Sequence, residues 1–310
     1  MKNGWLFPGQ ASQKVGMGKD LFDKTELGKK YYTIANDILD IDIQSISFNG
    51  PGELLNKTKY TQPAIFIVST IIGQIMIENG YSTNGVAGHS LGEYSALAVS
   101  GAYDFESGLE LVKLRSESMY NAGKTNPGTM AAIVGLSARE VENLCTKNTS
   151  DNLVVAANYN TENQIVVSGH IESVETLIRT AKNHGAKMAV PLNVSGAFHS
   201  PLMTPAREEL AAKLDSIDIS DISIPLYTNV DAKPITKGRD IKDSLIRQLE
   251  NPVLWYNSIE KMIRDGFSSF LEVGPGKILQ GLNRKINNTI PTQGIQSHED
   301  ILNYEVYSKK

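Results

Sequence analysis

A single cysteine, Cys145, is all the thiol chemistry the chain contains. It can close no disulfide within the chain and anchor no cysteine-based zinc cluster, so secreted disulfide scaffolds and zinc ribbons are excluded and a cytoplasmic location is expected. Long apolar runs are missing too. The most apolar window, Ala64 to Met76, is short of the roughly 18 uninterrupted apolar residues of a membrane span and contains Gly73 and Gln74. The first residues reach Pro8 before a leader's apolar segment can develop, so neither a leader nor a membrane association is expected. Charge of neither sign dominates: 30 Lys and Arg against 34 Asp and Glu leave a net charge of -4, which gives no general attraction to nucleic acid or anionic membrane. Metal-ligand spacings are absent. The one phosphate-loop lookalike, Gly16-Met17-Gly18-Lys19-Asp20, places Asp20 where Ser or Thr is required. No metal and no bound cofactor are expected.

What is present is an ordinary globular composition, 41% hydrophobic and 21% charged over 310 residues, enough for a large domain with a smaller partner. Short apolar runs alternate with amphipathic windows, the pattern of an α/β protein. Trp5 to Phe7 reads as a strand broken by Pro8-Gly9. Ala64 to Met76 reads as a buried helix with Pro63 in its first turn. Gly85 to Ala87 reads as a strand entering the turn Gly88 to Gly92, followed by helices over about Glu93 to Ser100 and Glu106 to Asn121, the second capped by Asp104. From 126 to 193 the order becomes strand, helix, strand, strand, helix, strand, the ferredoxin-like order. The expected fold is therefore α/β: an α/β-hydrolase-like catalytic domain with a parallel-sheet core over 1–125 and 194–310, interrupted by a ferredoxin-like small domain over 126–193.

The segment Gly88-His89-Ser90-Leu91-Gly92 has the G-x-S-x-G form, in which a serine on a sharp strand-to-helix turn is held exposed and glycines flank it because a Cβ would clash. The Leu91 amide and the helix N-terminus would then face a developing oxyanion. Taken alone, the pattern also fits an ordinary turn serine. A serine hydroxyl needs a base, and the chain offers five histidines. His89 adjoins Ser90 on the turn and reads as structural; His170 and His184 fall at a turn and a helix end; His298 lies in the polar C-terminal tail. His199, in Ala197-Phe198-His199-Ser200 just after a strand, is the best base. Arg115 on its amphipathic helix would ordinarily be a solvated charge, Gln62 a loop residue and Gly274-Pro275-Gly276 a tight turn.

Six motifs, in order, carry a resemblance to the malonyl-CoA:acyl-carrier-protein transacylases of fatty-acid and polyketide synthesis. Phe7-Pro8-Gly9-Gln10-Ala11-Ser12-Gln13 resembles that family's F-P-G-Q-G-S-Q loop, with Ala11 for the usual glycine. Thr61-Gln62-Pro63-Ala64, Gly88 to Tyr94, Leu111 to Arg115, Phe198-His199-Ser200 and Glu272 to Gly276 resemble its T-Q-P-A, G-H-S-L-G-E-Y, arginine, histidine and E-V-G-P-G segments. The likeness runs to about Asn288. It implies Ser90 as nucleophile, His199 as general base, the amides of Gln10 and Leu91 as oxyanion hole, and Arg115 as the clamp on a malonyl carboxylate with Gln62 beside it. Gln248 matches the position whose main-chain carbonyl orients the histidine, so no acidic third member is needed.

The resemblance also implies the partners: malonyl-CoA as donor and the phosphopantetheine thiol of an acyl carrier protein as acceptor. A monomer is expected. Phe198, in the Ala-Phe-His segment, would exclude an α-methyl branch and so favour malonyl over methylmalonyl. The same segment resembles stand-alone acyltransferases that serve polyketide synthases, which leaves that pathway open beside fatty-acid synthesis, and a serine thioesterase would use the same elbow and base. Lys277, Arg284 and Lys285 are candidates for carrier docking, against the plainer reading of a solvated face.

Overall fold

A computed structural model describes residues 1–147 and 153–308. Its larger sheet has six strands: β1 (Lys2–Phe7), β2 (Gly85–Gly88), β7 (Leu226–Tyr227), β8 (Pro234–Ile235), β9 (Phe267–Val273) and β10 (Thr292–Ile295). They lie in the order β10-β9-β1-β2-β7-β8, all pairs parallel except β7 with β8. Both faces of a parallel sheet must be covered, and the strands read accordingly as unbroken apolar runs such as Trp5-Leu6-Phe7, all at or below 1% exposure. Helices Thr58–Glu78, Gly92–Val99 and Phe105–Thr125 supply much of the main core.

The smaller sheet takes β3 (Gly128–Val134), β4 (Val154–Thr161), β5 (Gln164–His170) and β6 (Met188–Pro191) in the order β4-β5-β3-β6, antiparallel throughout. Helices Ala138–Lys147 and Ile171–Asn183 pack on it, and Ile133, Val141, Ile165, Val167, Val174 and Leu177 form a separate core there. Strand-helix-strand-strand-helix-strand with this pairing is the ferredoxin-like arrangement. The chain is thus an α/β protein with a parallel-sheet core and a small antiparallel sheet.

Two sequence expectations need correction. Pro63 does not open its helix. The helix begins at Thr58 and carries Pro63 inside it, so Gln62 stands on a helix instead of a loop. Proline removes the amide that would bond the Lys59 carbonyl, but that carbonyl faces Ser116 Oγ at 3.5 Å, and Thr58, Thr61 and Gln62 are buried there. The same 21-residue helix has the length and mean hydropathy of a membrane span, but it is interrupted by Lys59, Gln62 and Gln74, and 78% of its most apolar window is buried inside the fold. The C-terminal stretch is also more than a polar tail: β10 pairs with β9 along the sheet edge, and a helix follows over His298–Ser308.

Candidate active site

The parallel register sets Phe7 beside Gly88, so the loops leaving β1 and β2 emerge side by side at the carboxyl edge of the sheet. Their approach is close enough to require glycine. A Cβ on Gly92 would lie 1.9 Å from the Phe7 carbonyl oxygen, and one on Gly88 would lie 1.9 Å from Gly92 C. Between them Ser90 takes φ 53°, the left-handed conformation of a strained elbow. A residue that sequence reading did not single out fixes this turn. Buried Asn229, just past β7, accepts from the Ser90 amide at 2.7 Å through Oδ1 and donates to the Gly88 carbonyl at 2.6 Å through Nδ2. Its strand is two residues long, too short to leave a periodic signal.

Ser90 Oγ and His199 Nε2 are 2.8 Å apart. The other ring nitrogen, Nδ1, meets the main-chain carbonyls of Gln248 at 3.0 Å and Asn251 at 3.2 Å, two acceptors that place the proton on Nδ1 and leave Nε2 free to accept. Burial, then the nearby Arg115 charge, lowers the His199 pKa to about 3, against the opposing pull of those carbonyls. The imidazole is neutral at physiological pH and competent as a base. His199 also has positive φ, 57°.

Arg115, fully buried, completes the group. Its Nη2 donates to Ser90 Oγ at 3.1 Å and to Gln248 Oε1 at 3.0 Å; its Nη1 donates to Gln62 Oε1. The guanidinium carbon stands 5.1 Å from the Tyr94 ring centroid, a cation–π contact, and Nε has no partner among the described residues. Gln62 Nε2 reaches Gln10 Oε1 at 3.2 Å, and Gln10 Nε2 reaches Thr58 Oγ1 at 2.8 Å. A charge without water around it is tolerable only when its donors are used, and here two glutamines and the serine use them. Among the described residues, the amides of Leu91 and Gln10 donate no hydrogen bond, so both remain available at the elbow.

The structure therefore brings together Ser90, His199, Arg115, Gln62, Gln10, Leu91 and Gln248. Phe198, 5% exposed, precedes His199 and belongs to the main core. The basic residues divide. Exposed Lys277 and Arg284 line one surface depression of about 330 Å³ with Gln280 and Pro291, while Lys285 bonds Gln164 Oε1 at 3.1 Å on β5. His89 turns away from Ser90: its Nε2 meets Asn160 Oδ1 on β4 at 2.8 Å, tying the elbow to the small sheet.

The acyl transferase domain family matches residues 4–299. The chain belongs to that family. This acyltransferase is 42% identical over 301 residues to a protein named malonyl CoA-acyl carrier protein transacylase from Bacillus subtilis, covering 97% of this chain and 95% of the relative. A solved acyl-carrier-protein S-malonyltransferase from Bartonella henselae superposes with a TM-score of 0.96 at 34% identity, covering all of both chains. A malonyl-transacylase solved in complex with its type II polyketide synthase acyl-carrier protein superposes at 0.94 with 36% identity, covering 97% of this chain and 98% of its own. The family match carries the likeness past Asn288, where the motifs end, and through β10.

Proposed function

We propose that this acyltransferase moves a malonyl group from coenzyme A to the phosphopantetheine thiol of an acyl carrier protein by way of a malonyl ester on Ser90. The observation that carries the substrate is the position of Arg115: a buried guanidinium within hydrogen-bond distance of the nucleophile's own hydroxyl. Guanidinium presents paired donors to a carboxylate, and an acetyl group would leave it unmatched. A thioesterase has no use for such a cation there.

In the first half-reaction, Ser90 Oγ attacks the thioester carbonyl while His199 Nε2 takes its proton. The amides of Leu91 and Gln10 hold the oxyanion, a kind of contact worth about 2.7–4 kcal/mol per donor. As the C–S bond breaks, His199 returns the proton to the coenzyme A sulfur. In the second half, the carrier thiol gives its proton to His199 and attacks the Ser90 ester; the C–O bond breaks and Ser90 recovers its proton. Gln248 orients the base through its carbonyl, and Phe198 fills the space of an α-methyl branch. The protein needs no cofactor of its own, since phosphopantetheine arrives on the carrier. A cytoplasmic monomer fits this reading.

Relatives named for malonyl transfer and the complex with a polyketide carrier support the carrier as acceptor. Fatty-acid synthesis is the preferred setting; Ala197-Phe198-His199 keeps a polyketide setting as the second. Incubation with malonyl-CoA and holo carrier protein should give malonyl on Ser90 by mass spectrometry and then malonyl-carrier. Release of free malonate without carrier product would overturn the proposal. For docking, Lys277→Glu and Arg284→Glu should raise KM for the carrier several-fold while leaving acylation of Ser90 by malonyl-CoA unchanged.

A further inference from the structure

Glu93 is a carboxyl group that the transfer steps above do not use. It lies three residues after Ser90 in the first turn of helix Gly92–Val99 and is fully buried. Its Oε2 accepts from Gln248 Nε2 at 2.5 Å, and its Oε1 has no partner among the described residues. Among the described residues the other buried glutamate, Glu272, is very different. Glu272 at the end of β9 accepts from the amides of Leu279 and Gln280 at 3.0 and 3.2 Å and from Gln280 Nε2 at 2.9 Å, so it anchors the start of the helix Ile278–Ile286. Glu93 has a smaller set: the Gln248 side chain, and the Asn229 amide directed toward it. Burying a carboxyl with one idle oxygen is unfavourable, and its single side-chain partner is the residue that touches both Arg115 and His199.

The two ends of the Gln248 amide are nearly the same shape, so their neighbours decide which end points where. One end meets Arg115 Nη2, a pure donor, and must be the oxygen. The other end meets the Ser90 carbonyl at 3.0 Å and Glu93, and must be the NH2. The Ser90 carbonyl already accepts from the Glu93 amide at 3.1 Å, which leaves the Glu93 side chain as the stronger of the two acceptors. We propose that Glu93 is a positioning residue for malonyl transfer: by accepting from Gln248 Nε2 it fixes the amide with its oxygen toward Arg115, and so holds the guanidinium beside Ser90. With the amide reversed, NH2 would face the guanidinium and Arg115 would lose its anchor on that side. The inference rests on the proposed malonyl transfer and adds a residue to it.

The surroundings fit. Burial raises the Glu93 pKa to about 7, with the Gln248 side chain, the Asn229 amide and the Arg115 charge pulling it down and Asp231 pushing it up. Carboxylate and carboxylic acid both retain an oxygen that accepts from Gln248, so the amide keeps its orientation in either form.

The test uses the full chain and three variants, with Ser90 acylation by malonyl-CoA and by acetyl-CoA measured separately. Glu93→Met replaces the acceptor with an apolar group of similar size and should cut kcat/KM for malonyl-CoA at least tenfold, with a smaller loss for acetyl-CoA. Glu93→Gln keeps an oxygen acceptor without the charge and should return the malonyl value to within about threefold of wild type. Malonyl acylation by Glu93→Met within twofold of wild type overturns the inference, as does a Glu93→Gln protein no better than Glu93→Met. If Glu93→Met does not fold, Glu93→Asp withdraws the carboxyl by one methylene; wild-type malonyl acylation in that protein overturns the inference equally. Wild-type protein that takes no malonyl at all would instead sink the proposed function, so the two failures are separable.

Discussion

In the small antiparallel sheet and its two helices, the described residues with positive φ are glycines, Gly135 and Gly185, whereas at the carboxyl edge of the parallel sheet Ala11, Ser90 and His199 take φ of 79, 53 and 57°. The polar interiors differ in the same direction. Among the described residues the small sheet and its helices bury only neutral polar side chains, Asn158, Asn160, Thr161, Ser168 and Ser173, while the elbow buries the ionisable Glu93, Arg115 and His199 together with Gln62, Asn229 and Gln248. Each left-handed non-glycine residue costs about 1–2 kcal/mol, and buried polar groups are favourable only when partnered. Three of the five non-glycine residues with positive φ among those described, and three of the four buried acidic and basic side chains Glu93, Arg115, His199 and Glu272, thus lie where bonds would be made and broken, and the rest of the fold supplies the stability that tolerates them. Removing parts of either region should therefore have separable effects.

The largest effect is expected from Arg115→Ala. Transfer of malonyl should fall roughly 100-fold, about 3 kcal/mol at the transition state, and acetyl transfer much less. Equal losses would show that the buried cation serves the fold instead of the carboxylate. Next comes pH. The lowered His199 pKa means the ring takes a proton only near pH 3, so Ser90 acylation should show no acid limb at the usual histidine value of about 6.5. Glu93 titrates near 7, so the profile is best measured in Glu93→Gln protein. Removing the Arg115 charge takes away a lowering influence, and in Arg115→Ala the limb should move up in pH. A limb near 6.5 with Arg115 in place would mean that water reaches the imidazole.

How much of this the sequence could show depended on the kind of signal. Ser90, His199 and Arg115 stood in contiguous motifs, and the six elements of the small sheet followed their periodicity closely, Ala138–Lys147 included. Asp104 caps its helix, accepting from the Ser107 amide at 2.8 Å as the residue type suggested. Pro63 misled because a proline propensity is a local preference, and burial of Thr58, Thr61 and Gln62 extended the helix past it. Asn229 and β10 left no trace because the partners that define them, the Ser90 turn and β9, lie elsewhere in the chain and not in a local pattern. Glu93 was in plain view inside a motif, but nothing local showed that its partner would be Gln248.

On the unstrained side, Ile133→Ala in the small core should destabilise by about 2–5 kcal/mol while leaving kcat per folded molecule near wild type, as followed by denaturant unfolding and by acylation at low temperature. A matching loss of kcat would mean that the small sheet positions the elbow, with the His89–Asn160 bond as the route.

The smallest effect sharpens the comparison most, because it takes strain out of the site without removing a functional group. Ala11 sits at φ 79°, with its amide bonded to Gln13 Oε1 at 2.8 Å, in the loop that carries Gln10. Glycine adopts that conformation freely, so Ala11→Gly should recover about 1–2 kcal/mol of backbone strain. Against this, glycine gives the unfolded chain more freedom, about 0.4–1 kcal/mol in the other direction. The net should be a stabilisation of a few tenths to about 1 kcal/mol, seen as a Tm higher by about 1–3 °C, with a somewhat looser Gln10 loop. A lower Tm would show that the side chain of Ala11 contributes more than its backbone costs, and strain at this edge would then have to be assigned to Ser90 and His199 alone.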